Sequence, residues 1–251
     1  MPESPKKAHE LRIKIFADGA EKASMVELAS KPHIKGLTTN PTLMRKAGVL
    51  DYAAFAKDVL AAIKDKPISF EVFSDDFKEM ERQAGIIAGW ATNVYVKIPI
   101  TNTKGASSVP LVKRLVARGV KVNVTALLTG SQVEEVAKVL SPKIPSIVSV
   151  FAGRIADTGR DPLPYMEEAK RILAPNPAAE LLWASTRELL NIVQAEKLGC
   201  HIITATPDIL KKLEKLHYDL SRLSLETVQM FYDDGQKVGY KLYEIESPKQ
   251  G

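Results

Sequence analysis

The sequence has a single cysteine, Cys200, among its 251 residues. One cysteine cannot form an internal disulfide, so we expect a reducing, cytoplasmic setting. The four histidines show no HxH, HxxxH or HExxH spacing, and we expect neither a metal nor another cofactor. No apolar run approaches the ~18 residues that span a bilayer, and no GxGxxG follows the first strand-like segment. These absences argue against membrane, zinc and dinucleotide-binding proteins.

The charge is mildly basic and evenly spread. Lysine and arginine number 35 against 30 acidic residues, which gives a net charge of +5. Basic and acidic residues alternate along the chain, and they form no basic stripe of the kind that binds nucleic acid. The positive balance suits a small anionic substrate, and solvated surface lysines explain it equally well.

Short apolar segments rich in β-branched residues alternate with segments of helical periodicity. The alternation predicts eight βα units, and eight units over this length favour a (β/α)₈ barrel, which typically takes ~250 residues. The predicted strands span residues 12–17, 34–37, 68–73, 94–98, 120–124, 146–151, 180–183 and 201–204. The predicted helices span residues 22–30, 52–64, 77–89, 106–118, 131–140, 165–173, 186–197 and 208–216.

Three regions are expected along the chain. Residues 1–10 are polar and predict a flexible leader without the apolar core of a signal peptide. The catalytic barrel is expected to span residues 11–219. Residues 220–251 predict an extra C-terminal helix and a tail. The amphipathic face of that helix is expected to cover the barrel or to pack on another subunit.

Lys97 lies within the buried segment VYVKIP, which predicts the fourth strand. Desolvation disfavours the charged form of an amine, and a neutral amine attacks carbonyl groups to form a Schiff base. A snorkelling or ion-paired lysine at a strand end is the structural alternative. Active sites of such barrels lie at the carboxyl ends of the strands, so the other strand ends bear on this choice.

Polar side chains follow most of the other predicted strands. Each has a structural explanation on its own, as a turn, a helix cap or a surface ion pair, but together they predict one site. Glu71, with Thr125 and an ordered water, is the candidate for proton transfer, and Asp18 is the candidate base for breaking a carbon–carbon bond. Asn40 and Asn123 could bind substrate hydroxyls. A terminal phosphate could be held by polar and basic side chains, namely Ser149, Arg154, Ser185 and Arg187.

Five segments carry a family resemblance: GLTTNP, VYVKIP, NVT, SVFAGRI and ASTR. They resemble the transaldolase family, including its small members related to fructose-6-phosphate aldolase. The resemblance implies the barrel, the Schiff-base lysine at Lys97, and the roles given above to the other residues. It also places Thr38 and Phe151 in the substrate site. Sugar phosphates are the implied substrates, a homo-oligomer is expected, and carbohydrate metabolism such as the pentose phosphate pathway is the implied setting.

Two positions favour transfer of a dihydroxyacetone unit over its release. The aldolase branch has Gln and Tyr where this chain has Glu71 and Phe151. Trp183 occupies a position that resembles a small residue in ordinary transaldolases. It could narrow or reshape the acceptor pocket, and a modified sugar such as a sulfonated one stays open as a substrate.

Two further functions compete with transfer. One is an aldolase that releases dihydroxyacetone, and the other is a non-catalytic barrel that only binds sugar phosphates. The triad of Lys97, Asp18 and Glu71 argues against the non-catalytic barrel, since binding a sugar phosphate needs only arginines and hydroxyls.

Overall fold

The computed structural model describes residues 10–242. Eight parallel strands pair in chain order and close into a barrel, with β1 beside β8, so the predicted (β/α)₈ barrel is confirmed. The strands are β1 Lys14–Asp18, β2 Ile34–Thr38, β3 Ile68–Glu71, β4 Val94–Pro99, β5 Val122–Leu127, β6 Ser146–Val150, β7 Ala179–Trp183 and β8 Ile202–Ala205.

Helices follow the strands along the chain. They are α1 Lys22–Ser30, α2 Pro41–Lys46, α3 Tyr52–Ala62, α4 Phe77–Ala88, α5 Val109–Ala117, α6 Gly130–Ala137, α7 Ala152–Ala156, α8 Leu163–Leu173, α9 Leu189–Leu198, α10 Pro207–Lys211 and α11 Leu220–Val238. The predicted extra C-terminal helix is therefore present as α11. Helix α2 was expected only as the structural explanation of residues 38–41, as a cap followed by a helix that proline begins, and α7 was not predicted. A 3₁₀ turn at Lys212–Lys215 replaces the end of the predicted eighth helix.

The strands divide their side chains between two cores. Outward-facing β-branched and leucine side chains pack against the helices in one large buried cluster. Inward-facing Phe16, Ile147, Leu182 and Ile202 form a second cluster inside the barrel. Phe16 fits there because Gly36 on the neighbouring strand has no Cβ, which would lie 2.5 Å from the Phe16 ring. This interior cluster gives the upper half of the barrel an apolar floor.

The chain divides into two compact units, and the boundary falls between Glu214 and Lys215. The leader predicted for residues 1–10 lies outside the described residues except for Glu10, and so does the tail from residue 243. Among residues 10–242, none of the helices is both long and apolar enough to cross a membrane.

Candidate active site

A cavity of about 510 Å³ opens at the carboxyl ends of the strands. All the predicted site residues except Asn123 line it, which brings residues from seven strand ends to one mouth. Those that line it are Asp18, Thr38, Asn40, Glu71, Lys97, Thr125, Ser149, Phe151, Arg154, Ser185 and Arg187. Leu182 of the apolar floor also reaches the cavity.

Lys97 is the buried cation of this cavity, with 6% of its surface exposed. The β3–β4 register pairs it with Glu71, and its Nζ lies 3.5 Å from Glu71 Oε2. The Nζ also donates a hydrogen bond of 3.0 Å to the carbonyl of Thr39. Burial raises the pKa of Glu71 above its ordinary value, although the nearby Lys97 charge opposes that shift. Glu71 therefore holds a proton at a higher pH than a surface glutamate does.

Asp18 lies at the end of β1 and is held by hydroxyl groups. Thr38 Oγ1 donates to Asp18 Oδ1 at 2.7 Å and lies 2.6 Å from Thr204 Oγ1. Thr38 has one hydroxyl proton and gives it to Asp18, so Thr204 must donate to Thr38. The two hydroxyl groups thus form a chain of hydrogen bonds that ends at the Asp18 carboxylate. Burial raises the pKa of Asp18, while the Lys97 charge and the Thr38 hydrogen bond act in the opposite direction.

Asn123 is fully buried and does not line the cavity. Its Nδ2 donates to Ser69 Oγ at 3.0 Å, and its Oδ1 accepts from Ser149 Oγ at 2.7 Å. In this arrangement its amide supports two inward-facing serines of the barrel. Its predicted contact with a substrate stays a prediction.

Asn40 has two uses. Its Oδ1 caps α2 by accepting from the Leu43 N–H at 2.9 Å, and Pro41 begins the helix. Its side chain nevertheless lines the cavity, and the cap leaves the amide NH₂ group available to another acceptor.

Thr125 is presented by an irregularity in β5. The β5–β6 register shifts between Val124 and Leu127, and Ala126 adopts a left-handed backbone with φ of 65°. Such bulges re-aim side chains and are frequent next to active sites. Among the described residues, Thr125 Oγ1 is one of two buried side-chain polar atoms without a hydrogen-bond partner. It is therefore available to a water or a substrate hydroxyl.

The two arginines of the cavity follow β6 and β7. Arg187 forms a forked ion pair with Asp157, with Nε–Oδ1 of 3.0 Å and Nη2–Oδ2 of 2.5 Å. The Arg187 hydrogen bonds lower the pKa of Asp157, and the charge of Arg154 lowers it further. Ser185 lies in the turn that follows β7 and has a left-handed backbone conformation with φ of 62°.

A close backbone approach joins these two segments. A Cβ on Gly153 of α7 would lie 1.6 Å from the carbonyl oxygen of Ser185. Only glycine fits at this contact, so α7 can lie directly against the turn that follows β7. The contact brings Arg154 and Arg187 to the same cavity.

A comparison of the sequence with family models decides the relationship. The model described as transaldolase/fructose-6-phosphate aldolase matches residues 15–247. The chain belongs to this family. The confirmed barrel and the match over nearly the whole chain agree with the resemblance seen in the five short segments.

Relatives within the family support a transaldolase-type enzyme. A protein from Novosphingobium aromaticivorans named "Probable transaldolase" is 32% identical over 232 residues, which cover 92% of this chain and 100% of the relative. A protein of the same name from Thermoanaerobacter sp. is 33% identical over 231 residues, with the same shares covered. Among solved structures, a protein described as of the dihydrodipicolinate synthase family from Coccidioides immitis aligns with a TM-score of 0.56 at 13% identity, covering 78% of this chain and 67% of that one. That likeness concerns the fold alone.

Trp183 does not lie at the mouth of the cavity. Its side chain is fully buried in the outer core and does not line the cavity, because the neighbouring Leu182 takes the inward position on β7. Its Nε1 is the second buried polar atom without a partner among the described residues. Trp183 is therefore not in a position to narrow the acceptor pocket directly.

Some residues that line or support the cavity were not among the predicted site residues, and Ser69, Thr204 and Asp157 are three that form a hydrogen bond with a predicted site residue. Ser69 precedes Glu71 by two positions and shares its inward face, a spacing that could have identified it. Thr204 lies in β8, where the sequence marks it only as a hydroxyl near a strand end. Asp157 lies one helical turn after Arg154, and no pattern in the sequence links it to Arg187. Among residues 10–242, no group of three His, Cys, Asp or Glu side chains is arranged to hold a metal ion.

Substituting Gly153 tests the close contact in this family member. We expect Gly153→Ala to lower the free energy of unfolding by about 1–3 kcal/mol, because the new methyl group meets the Ser185 backbone. The matched control is Gly85→Ala in α4, where a Cβ would lie 3.8 Å from its nearest neighbour, Arg118 Nη2. The control should stabilise the protein slightly. Urea unfolding of both variants checks this, and equal stabilities would contradict the contact.

Substituting Asp18 tests the cost of its burial. Because the folded-state pKa of Asp18 is raised above 3.8, its contribution to stability is fully present below pH 3.8 and is lost as pH rises through the folded-state pKa. We therefore expect Asp18→Asn to raise the melting temperature at pH 7 by about 2–4 °C, with a gain that shrinks as pH falls toward 4. Asp157→Asn is the control, and since Arg187 lowers that pKa, it should give no gain. A pH-independent gain would contradict the interpretation.

Proposed function

We propose that this chain is a class I, Schiff-base transaldolase. It transfers a dihydroxyacetone unit from a ketose phosphate, such as fructose 6-phosphate or sedoheptulose 7-phosphate, to an aldose phosphate, and it works in the cytoplasm without a metal. The observation that supports this is the buried Lys97, 3.5 Å from Glu71 in a cavity that Asp18 also lines. A site that only binds sugar phosphates has no need of this buried triad.

The first step joins Lys97 to the ketose. Glu71 has a raised pKa, so it accepts a proton from the lysine more readily than an ordinary carboxylate. The freed amine attacks the ketone carbon and forms a carbinolamine. Glu71 then returns a proton to the carbinolamine hydroxyl, which leaves as water, and the nitrogen lone pair forms the iminium.

The second step breaks the carbon–carbon bond. The Asp18 carboxylate removes the proton from the hydroxyl two carbons away from the iminium carbon. The electron pair of the broken O–H bond forms the second bond of the aldehyde carbonyl, the adjacent carbon–carbon bond breaks, and its electron pair passes into the iminium to give an enamine. The iminium is the electron sink. The Thr38 hydroxyl, which donates to Asp18, orients the carboxylate for this transfer.

The third step joins the three-carbon unit to the acceptor aldehyde by the reverse of the cleavage. The enamine carbon attacks the aldehyde carbon, and Asp18 gives its proton to the new alkoxide. Water hydrolyses the resulting iminium, and Thr125 Oγ1, which is without a partner in the described chain, is proposed to hold that water beside Glu71. Lys97 is restored and the new ketose leaves.

The arginine side of the cavity is proposed to hold the terminal phosphate. Arg154 and Arg187 line it together with Ser185, and a guanidinium fork matches the geometry of a phosphate. Asp157 already orients the Arg187 guanidinium by a forked pair. A side chain held in place in advance loses less freedom when it binds.

Transfer is proposed over release because of Glu71 and Phe151. A carboxylate near Lys97 holds and activates water differently from an amide, and Phe151 offers no hydroxyl to the cavity that it lines. Release of dihydroxyacetone is the alternative within the same chemistry. Because Trp183 lies outside the cavity, it gives no support to a modified sugar, which stays an alternative substrate.

Borohydride trapping tests the proposal. The protein is incubated with fructose 6-phosphate and reduced, and the intact chain and the Lys97 peptide are weighed by mass spectrometry. We expect a three-carbon adduct on Lys97 alone, and none in Lys97→Ala. Adding an aldose phosphate before reduction should discharge the adduct, because transfer consumes the enamine.

Two outcomes would contradict parts of this proposal. If a folded wild-type protein gave no adduct with any ketose of a phosphorylated and sulfonated panel, the chain would be a sugar-phosphate-binding barrel without catalysis. If dihydroxyacetone were liberated without an acceptor as fast as it is transferred with one, the chain would be an aldolase.

We also propose that the protein is a homo-oligomer through α11. None of the residues of α11 is buried, and Leu225, Val228 and Phe231 are each more than half exposed. Helices with such an apolar face are stable when a partner covers it. Removal of residues 220–251 should lower the assembly state measured by light scattering, and an unchanged mass for the folded truncation would contradict the proposal.

A further inference from the structure

At Glu71, the last residue of β3, the strand has a neighbouring strand on only one side. On one side Glu71 pairs with Lys97 of β4. On the other side β2 pairs with β3 only at Ile68 and Ser69, and the last backbone bond runs from the Thr39 N–H to the Ser69 carbonyl. The N–H and C=O groups of Glu71 face the side of β2, but β2 provides no backbone partner for them. Buried backbone groups need partners, so this edge requires another source of hydrogen bonds.

Tyr52 supplies both partners from α3. Its hydroxyl accepts a hydrogen bond from the Glu71 N–H at 2.8 Å and donates one to the Glu71 carbonyl at 2.8 Å. One oxygen thus takes the place of a neighbouring strand at Glu71. The contact fixes the backbone of the residue whose carboxylate lies 3.5 Å from Lys97 Nζ.

An aromatic cluster holds Tyr52 in turn. Its ring centroid lies 6.4 Å from that of Phe70, 5.3 Å from Phe73 and 6.0 Å from Trp90. Phe70 and Trp90 also meet edge to face at 5.7 Å. Contacts of this kind orient rings with respect to one another. Burial raises the pKa of the Tyr52 hydroxyl, so it remains a neutral donor at physiological pH.

We propose that Tyr52 is a positioning residue for the proton transfers at Lys97, through its double hydrogen bond to the backbone of Glu71. It does not line the cavity, so it acts on the reaction only through Glu71. The inference rests on the Schiff-base function proposed above. It assigns to α3 and the Tyr52 cluster a part in the chemistry that no motif of the sequence indicated.

Tyr52→Phe removes the hydroxyl and keeps the ring, so the aromatic cluster remains packed. Two backbone groups of Glu71 then lose their partner, and the carboxylate loses its fixed distance to Lys97. We expect the single-turnover rate of adduct formation on Lys97 to fall about 10- to 100-fold, the range that a displacement of about 1 Å produces. The KM for the ketose should change little, because the residues that contact substrate are intact.

The matched control is Tyr165→Phe, at a partly buried tyrosine of α8 outside the cavity lining. It should form the adduct at the wild-type rate. Melting temperatures of both variants show that they are folded. Amide exchange at Glu71 should be faster in Tyr52→Phe and unchanged in the control.

A double-mutant cycle separates positioning from general loss of structure. In the Glu71→Ala background there is no carboxylate to position, so Tyr52→Phe should slow adduct formation no further. A further loss of the same size in that background would overturn the inference, and so would a Tyr52→Phe protein that reacts as fast as Tyr165→Phe. If the wild type itself gives no adduct with any ketose, the proposed function has failed and the role of Tyr52 falls with it.

Discussion

The ion pair between Lys97 and Glu71 is the interaction on which the mouth of the barrel depends. Two charges removed from water are tolerated when they are paired, and here the register of β3 and β4 makes the pair. Asp18 is near enough for the Lys97 charge to oppose the effect of burial on its pKa. Any change to one of these three charges therefore alters the electrostatic balance of the other two.

Neutral hydrogen bonds keep these charges in place. Thr38 connects Asp18 to β8 through Thr204, and Asn123 connects β3 to β6 through serines. Beneath them the apolar cluster around Phe16 excludes water, so the polar groups above it act in surroundings of low polarity. The charged side chains of the upper half therefore lie directly above an apolar interior.

The barrel was predictable because its strands are short runs of β-branched residues, and because parallel strands bring their carboxyl ends together. The same rule predicted that the polar residues at the strand ends lie together, and all of the predicted site residues except Asn123 line one cavity. A helix of five residues such as α7 shows too little periodicity to be predicted from the sequence, whereas the pair Asn40-Pro41 indicates the start of α2. The contacts of Tyr52 with Glu71 and of Asp157 with Arg187 join segments 19 and 30 positions apart, and only the folded chain reveals them. The direction of Trp183 was available from the two-residue alternation of β7.

The fork between Arg187 and Asp157 has a consequence for how the mouth responds to salt. An arginine that keeps its carboxylate partner presents less net positive charge to an arriving anion than a bare guanidinium group does. The mouth therefore attracts an anion less strongly than it would with two unpaired guanidinium groups. The affinity for the phosphorylated sugar proposed above should accordingly depend only weakly on ionic strength.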